Sequence, residues 1–186
     1  MTIDEIFGKL SAHGVEGMMI HDQLADYYDF LNLHGYKRQH EYHFLCETIA
    51  HRKLQRYFIN RYNRLVADSP VDSSSVIPES WYRYERQEVD KATKRSAVEK
   101  GVAEWVKWEI ETRELYNTMY HELEEMGEYS AANFVCDMIT AVDKEVKCAQ
   151  RKQIELEAVD YDMVFIAQKQ CKLHNKYKKK IKELGL

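Results

Sequence analysis

The chain is punctuated once. Both of its prolines and five serines fall within Ala67–Ser80, ADSPVDSSSVIPES, and its seven glycines are thinly spread through 186 residues. Proline removes a backbone donor and clashes with the preceding turn, so the proline-free stretches on either side can each sustain long helices. With 31% charged and 45% hydrophobic residues, the composition fits long amphipathic helices and not a turn-rich β protein. Apolar residues recur at helical spacing on both sides of the interruption, which predicts two helical hairpins joined by a long connection.

Thr2 and Glu5 match the S/T-x-x-E capping box and predict a short helix to Ser11, broken at Gly14. The first long helix is expected over 15–34, with Gly35 as its left-handed stop. The second, over 38–66, carries a stripe through His40, His43, Phe44, Glu47, His51, Leu54, Phe58 and Arg61. A stripe that broad faces a core, yet it holds three imidazoles, a carboxylate and a guanidinium, which need partners when buried. The connection spans 67–95. A second capping box, Ser96 and Glu99, opens a helix over 97–126 that Gly127 ends, and further helices follow over 129–157 and 160–184. The expected fold is therefore all-α, a single domain over 1–186. It has a four-helix bundle, an additional C-terminal helix, and a crossover long enough to make the second and third helices parallel.

Several function classes are disfavoured by the totals. The net charge of −4 and pI near 6.1 give no global basic field for nucleic acid. No run approaches the roughly 18 apolar residues of a membrane span, and MTIDEIFGKL lacks the basic and apolar regions of a signal peptide. The four cysteines, Cys46, Cys136, Cys148 and Cys171, form no C-x-x-C and read as reduced, mostly buried thiols of a cytoplasmic protein.

Chemistry concentrates on the helical stripes. Each of the four long helices puts a glutamate on its apolar face or its margin: Glu16, Glu47, Glu109 and Glu145. His51 follows Glu47 by one turn, and Arg113 follows Glu109. Oxygen ligands with one or two imidazoles suit iron or manganese. The alternative is a metal-free polar core, with Glu109–Arg113 as an ion pair and Glu47 bonded to His51 or Arg61. Spacing bears on the choice. A di-iron bundle takes Glu-x-x-His from each of two helices, whereas Glu47 and His51 are four apart and no histidine follows Glu145 by three.

From Trp108 to Phe134 the chain reads WEIETRELYNTMYHELEEMGEYSAANF. This stretch resembles the third helix, turn and start of the fourth helix of non-haem ferritins, and Leu33-His34-Gly35-Tyr36 weakly resembles the LH-x-Y of Dps-type ferritins. The resemblance implies a ferritin-like bundle that could oxidise and store iron in an oligomeric shell, with Glu109 at the third-helix ligand position. The family's second-helix Glu-x-x-His and fourth-helix Glu-x-x-Gln/His are both absent. The implied protein is thus a degenerate member, similar to ferritin-like proteins of bacteria and their phages, with Glu16, Glu47, His51, Glu109 and Glu145 around iron, manganese or no metal, and with little or no ferroxidase activity. The rival reading is a metal-free bundle that self-associates or binds a protein partner, to which the thirteen tyrosines would contribute interface.

Other features read as structural. The lysine-rich tail from Lys172 to Lys182 keeps an apolar stripe and is expected to pack on the protein, and nucleic-acid binding is not expected. Trp81-Tyr-Arg-Tyr84 is expected to cover the bundle, and His13, His21, His121 and His174 to be surface or locally bonded groups.

Overall fold

The computed structural model describes residues 1–75, 85 and 89–185. Among these residues there are five helices: α1 (Ile3–Phe30), α2 (His34–Tyr62), α3 (Lys91–Glu125), α4 (Tyr129–Glu157) and α5 (Met163–Glu183). The Trp81–Tyr84 segment lies outside the described residues.

The capping box at Thr2 and Glu5 is present: Glu5 N–H donates to the Thr2 hydroxyl and Thr2 N–H to the Glu5 carboxylate. The helix it opens does not stop at Ser11, nor does a new one begin at 15. It runs unbroken to Phe30 because Gly14 and Gly17 lie on the face pressed against its neighbours. A Cβ on Gly14 would stand 3.3 Å from the His51 ring. One on Gly17 would stand 3.1 Å from Trp108 and 3.2 Å from the Glu47 carboxyl. Each glycine costs about 1 kcal/mol of helix propensity, and close packing offsets that loss.

The left-handed stop also moves. Asn32 takes φ 58°, with Leu33 N–H donating to Tyr28 C=O and Asn32 N–H to Asp29 C=O, a Schellman closure. Gly35 is therefore not a stop but part of the first turn of α2, which starts at 34 instead of 38. Its N–H donates to the Gln170 side chain on α5, and a Cβ there would lie 2.5 Å from the Gln170 backbone oxygen. Since backbone cannot swing aside, Gly35→Ala is expected to lever α5 away and cost about 1–3 kcal/mol, measurable by urea unfolding.

Helix α3 starts at 91, six residues before the 97 expected, because Asp90 accepts from Thr93 N–H at 2.7 Å and caps the chain ahead of Ser96. The crossover correspondingly ends sooner than residue 95. Gly127, with φ 76°, closes the turn into α4. Asp160 and Tyr161, both left-handed, turn the chain into α5, which Asp162 caps.

The topology follows from two apolar clusters. One end of the bundle holds Ile6, Phe7 and Leu10 of α1 with Leu54 and Phe58 of α2, Leu123 of α3 and Ala131 of α4. The other holds Leu24, Tyr28 and Leu31 with Tyr36, Val98, Val102 and Leu156. The start of α2 and the start of α3 share an end, so the two run parallel. The crossover leaves past Gly8, donates Asp72 N–H to Glu16, and brings Val89 into the far cluster. Helix α5 lies along α2, burying Ile166, Leu173 and Tyr177. Between the two clusters is a polar belt.

Candidate metal centre

Four helices supply the belt. His21 comes from α1, His40, His43 and Glu47 from α2, Glu109 from α3 and Glu145 from α4. His21, His40, His43 and Glu109 are each at most 4% exposed. Trp105 Nε1 donates to Glu109 Oε1 at 2.8 Å. His21 Nε2 faces the same oxygen at 3.9 Å, and His43 Nδ1 faces Glu145 Oε2 at 3.5 Å. His21 and His40 share a hydrogen bond between their Nδ1 atoms at 3.1 Å. His21, His43 and Glu109 each offer one ligand atom within 4.8 Å of the others. His21 Nε2 and His43 Nε2 are buried without a hydrogen-bond partner, which is costly for an imidazole nitrogen.

Beside this group is a cavity of about 530 Å³ whose lining includes Cys46, Glu47, Glu109, Tyr116, Val142 and Glu145. Burial, then the charge of Glu47, pushes the Glu109 carboxyl up to about 8. Burial, then Glu145, pushes Glu47 up to about 7. Glu145 is raised by burial while Lys180, Lys176 and Lys144 oppose the rise. Burial holds His21 down at about 3, and holds His40 and His43 well below the usual imidazole range, with neighbouring histidines adding to the effect. The belt therefore presents neutral imidazoles and a protonated Glu109 at neutral pH.

Of the residues expected from sequence, Glu47, Glu109 and Glu145 converge here. Glu16 does not. It accepts from Asp72 N–H at 2.7 Å and faces His13 at 3.4 Å on the crossover side. His51 does not either: its Nε2 bonds Ser11 at 3.1 Å and Gln55 at 3.3 Å, over Gly14. His51→Ala should leave metal content unchanged and cost about 1 kcal/mol of stability, a typical loss for such hydrogen bonds, measurable by metal analysis and urea unfolding of one preparation. The ion pairs expected for a metal-free core are also placed elsewhere. Arg113 faces Asp143 and Arg61 faces Glu128, while Trp105 serves Glu109.

Three residues of the belt were not expected as ligands. His40 and His43 stood on the sequence stripe but off the Glu47–His51 spacing. His21, expected to be a surface or locally bonded group, is fully buried and bonded to His40, and it shares one helical face with Leu10, Gly14, Gly17, Leu24 and Tyr28. Treating Gly14 as a break hid that face.

An antiparallel helix pair, a crossover, a second pair parallel to the first across it, and a polar belt at mid-bundle define a ferritin-like fold. Solved structures bear this out. A closed form of Archaeoglobus fulgidus ferritin, engineered by site-directed mutagenesis, superposes with a TM-score of 0.76 at 11% identity over 94% of this chain and 96% of that one. The open-pore ferritin of the same archaeon gives 0.75 at 11% identity, over 91% and 93%. A humanized archaeal ferritin gives 0.72 at 13%, over 92% and 94%. At such identities the likeness establishes the fold alone. No protein-family model matches the sequence, and no curated protein matches it. Among the described residues, no helix is long and apolar enough to cross a membrane.

Proposed function

We propose that this chain is a ferritin-like protein holding one divalent transition-metal ion, iron or manganese, at mid-bundle through His21, His43 and Glu109, with little or no ferroxidase activity. The observation that carries the reading is the convergence of three buried ligand atoms from three helices, on two histidines whose Nε2 atoms have no hydrogen-bond partner. Two histidines and one carboxylate form a donor set suited to Fe(II) with open positions. The ion would supply Lewis-acid and one-electron chemistry there. The rest is the work of the chain. Ligation through His21 Nε2 requires its Nδ1–H to donate to His40 Nδ1, so His40 fixes the His21 tautomer and ring orientation. Trp105 positions the Glu109 carboxylate. Glu47 and Glu145 line the cavity through which a cation would arrive, and ionised Glu47 would offset the second positive charge. Among the described residues one such ligand group is present, and a site for a single ion supports weak ferroxidase activity.

The experiment is a titration of metal-free protein with Mn(II), counting the free ion by electron paramagnetic resonance, followed by Fe(II) addition in air. One Mn(II) per chain and ferric absorbance no faster than buffer are expected. Rapid oxidation of two Fe(II) per chain would replace this reading with a working di-iron centre.

A metal-free interaction bundle is the second reading, supported by the burial that raises the Glu109 carboxyl to about 8 and keeps the belt imidazoles neutral. Self-association is compatible with both readings, and Leu65, Tyr129, Ile154 and Val164 are among the exposed apolar groups available for it. Size-exclusion with light scattering would give an oligomer, and a monomer at all concentrations would end that part of the proposal. The four free thiols support a reducing, cytoplasmic location, although none is buried as the sequence suggests and Cys136 and Cys171 are exposed, since both lie on solvent-facing sides of their helices.

A further inference from the structure

A second cavity, about 380 Å³, opens as a groove between α4 and α5. Lys144, Lys147 and Arg151 recur along the exposed face of α4 at spacings of three and four, so they line one wall. Lys176 of α5 stands on the other. Among the described residues, none of these four cations is in an ion pair. Glu155 on the wall is already held by Lys152 at 2.9 Å and Lys169 at 2.7 Å. Cations on a helix surface are ordinarily only solvated, but this groove has a feature that solvation does not explain. Gln39 of α2, 1% exposed, lines it, and both the Nε2 and Oε1 of its amide lack a hydrogen-bond partner. A buried amide left unpaired is costly, and a ligand in the groove relieves the cost.

We infer that this groove binds a phosphate group, free or carried by a small molecule. A phosphate presents several acceptor oxygens and close to two negative charges near neutral pH. Arg151 can bind it through two parallel N–H bonds, the lysines as point charges, and the Gln39 amide N–H completes the set. Leu173 and Tyr177 form an apolar wall, and the volume is within the range of small-molecule sites, so an organic body can accompany the phosphate. This inference stands on the groove and does not depend on a metal in the belt.

Chelator-treated, desalted protein is titrated calorimetrically with inorganic phosphate, AMP and adenosine in low salt. Phosphate or AMP should bind, with affinity falling as salt rises, and adenosine should not. The Lys147→Glu/Arg151→Glu variant, altered at exposed positions only, should weaken binding at least tenfold with an unchanged circular dichroism spectrum. Gln39→Leu should weaken it at least tenfold, the effect of one hydrogen bond to a charged group. Phosphate binding as well as AMP identifies the free ion as ligand, and tighter AMP binding identifies a phosphomonoester. No binding of either at millimolar concentration, equal binding of adenosine and AMP, or binding unchanged in the double charge reversal would overturn the inference.

Discussion

His43→Ala should abolish stoichiometric metal binding while leaving a folded bundle. His43 is one of the three proposed ligands. Its Nδ1 is turned to Glu145 and its Nε2 has no partner, so an ion would use a nitrogen that nothing else in the protein engages. Removing one of three protein ligands from a buried site removes a bond that neither water nor a neighbouring carboxylate replaces with equal geometry, and a loss of at least about a hundredfold in affinity is expected, since even outer-sphere changes cost 10–100-fold. Stability of the metal-free variant should change far less, because the removed ring takes with it a nitrogen that had no hydrogen-bond partner. His43 also packs against Trp105 and Tyr177, with ring centroids 5.1 and 6.1 Å away, so the remaining cost is a cavity of about 1–3 kcal/mol. Mn(II) titration and urea unfolding of one preparation separate the two effects. Undiminished metal binding in a folded His43→Ala protein would remove the proposed site.

The stability of metal-free protein should peak near pH 6.5 and fall on both sides. The two limbs have different owners. Glu47 and Glu109 are raised from an ordinary 4.5 to about 7 and about 8. In that window the folded state holds protons that the unfolded chain has released, so stability is full below about 4.5 and is lost as pH rises through 7 and 8. His13 and His21 are lowered from 6.5 to about 4 and about 3 by burial, and His40 and His43 are lowered as well. For these the unfolded chain takes up the protons, so stability is full above about 6.5 and is lost as pH falls toward 4 and 3. Between 4.5 and 6.5 the two effects oppose, and with His51 also lowered and Glu145 also raised, five histidines outnumber three carboxyls. Above 6.5 only the carboxyls act. Each group changes stability by at most about 1.4 kcal/mol per pH unit. Saturating Mn(II) should reverse the alkaline limb, because ligation takes the deprotonated carboxylates and releases protons. Thermal unfolding from pH 5 to 8.5, with and without Mn(II), tests both statements. A metal-free melting temperature that rises between pH 6.5 and 8.5 would contradict the assignment of protons to Glu47 and Glu109.

The fold was more legible in the sequence than the site, and particular residues explain the difference. A single proline- and serine-rich interruption, set between long proline-free amphipathic stretches, is enough to specify two hairpins and a crossover. Glycines were the weak signal. Gly14 looks like a break in one dimension, but in the bundle it is where the His51 ring approaches α1, and contact with another helix is not visible in local propensity. Gly35 misleads for the same reason, since α5 presses on it while Asn32 makes the turn. Misplacing Gly14 rotates the inferred face of α1 and selects Glu16 over His21. Glu109 and Glu145 were readable because their stripes were correct. The pairings of His21 with Glu109 and of His43 with Glu145 were not, because which imidazole of a stripe meets which carboxylate depends on helix rotation and stagger, which spacing within one helix does not determine.

The most direct test of the metal-site reading is anomalous diffraction from crystals grown with Mn(II) and from crystals soaked anaerobically in Fe(II). The account predicts one strong peak per chain, bonded to His21, His43 and Glu109. A peak held instead by Glu16 or His51, or no peak in the polar belt at saturating metal, would contradict it and leave the belt as the polar core of a metal-free bundle.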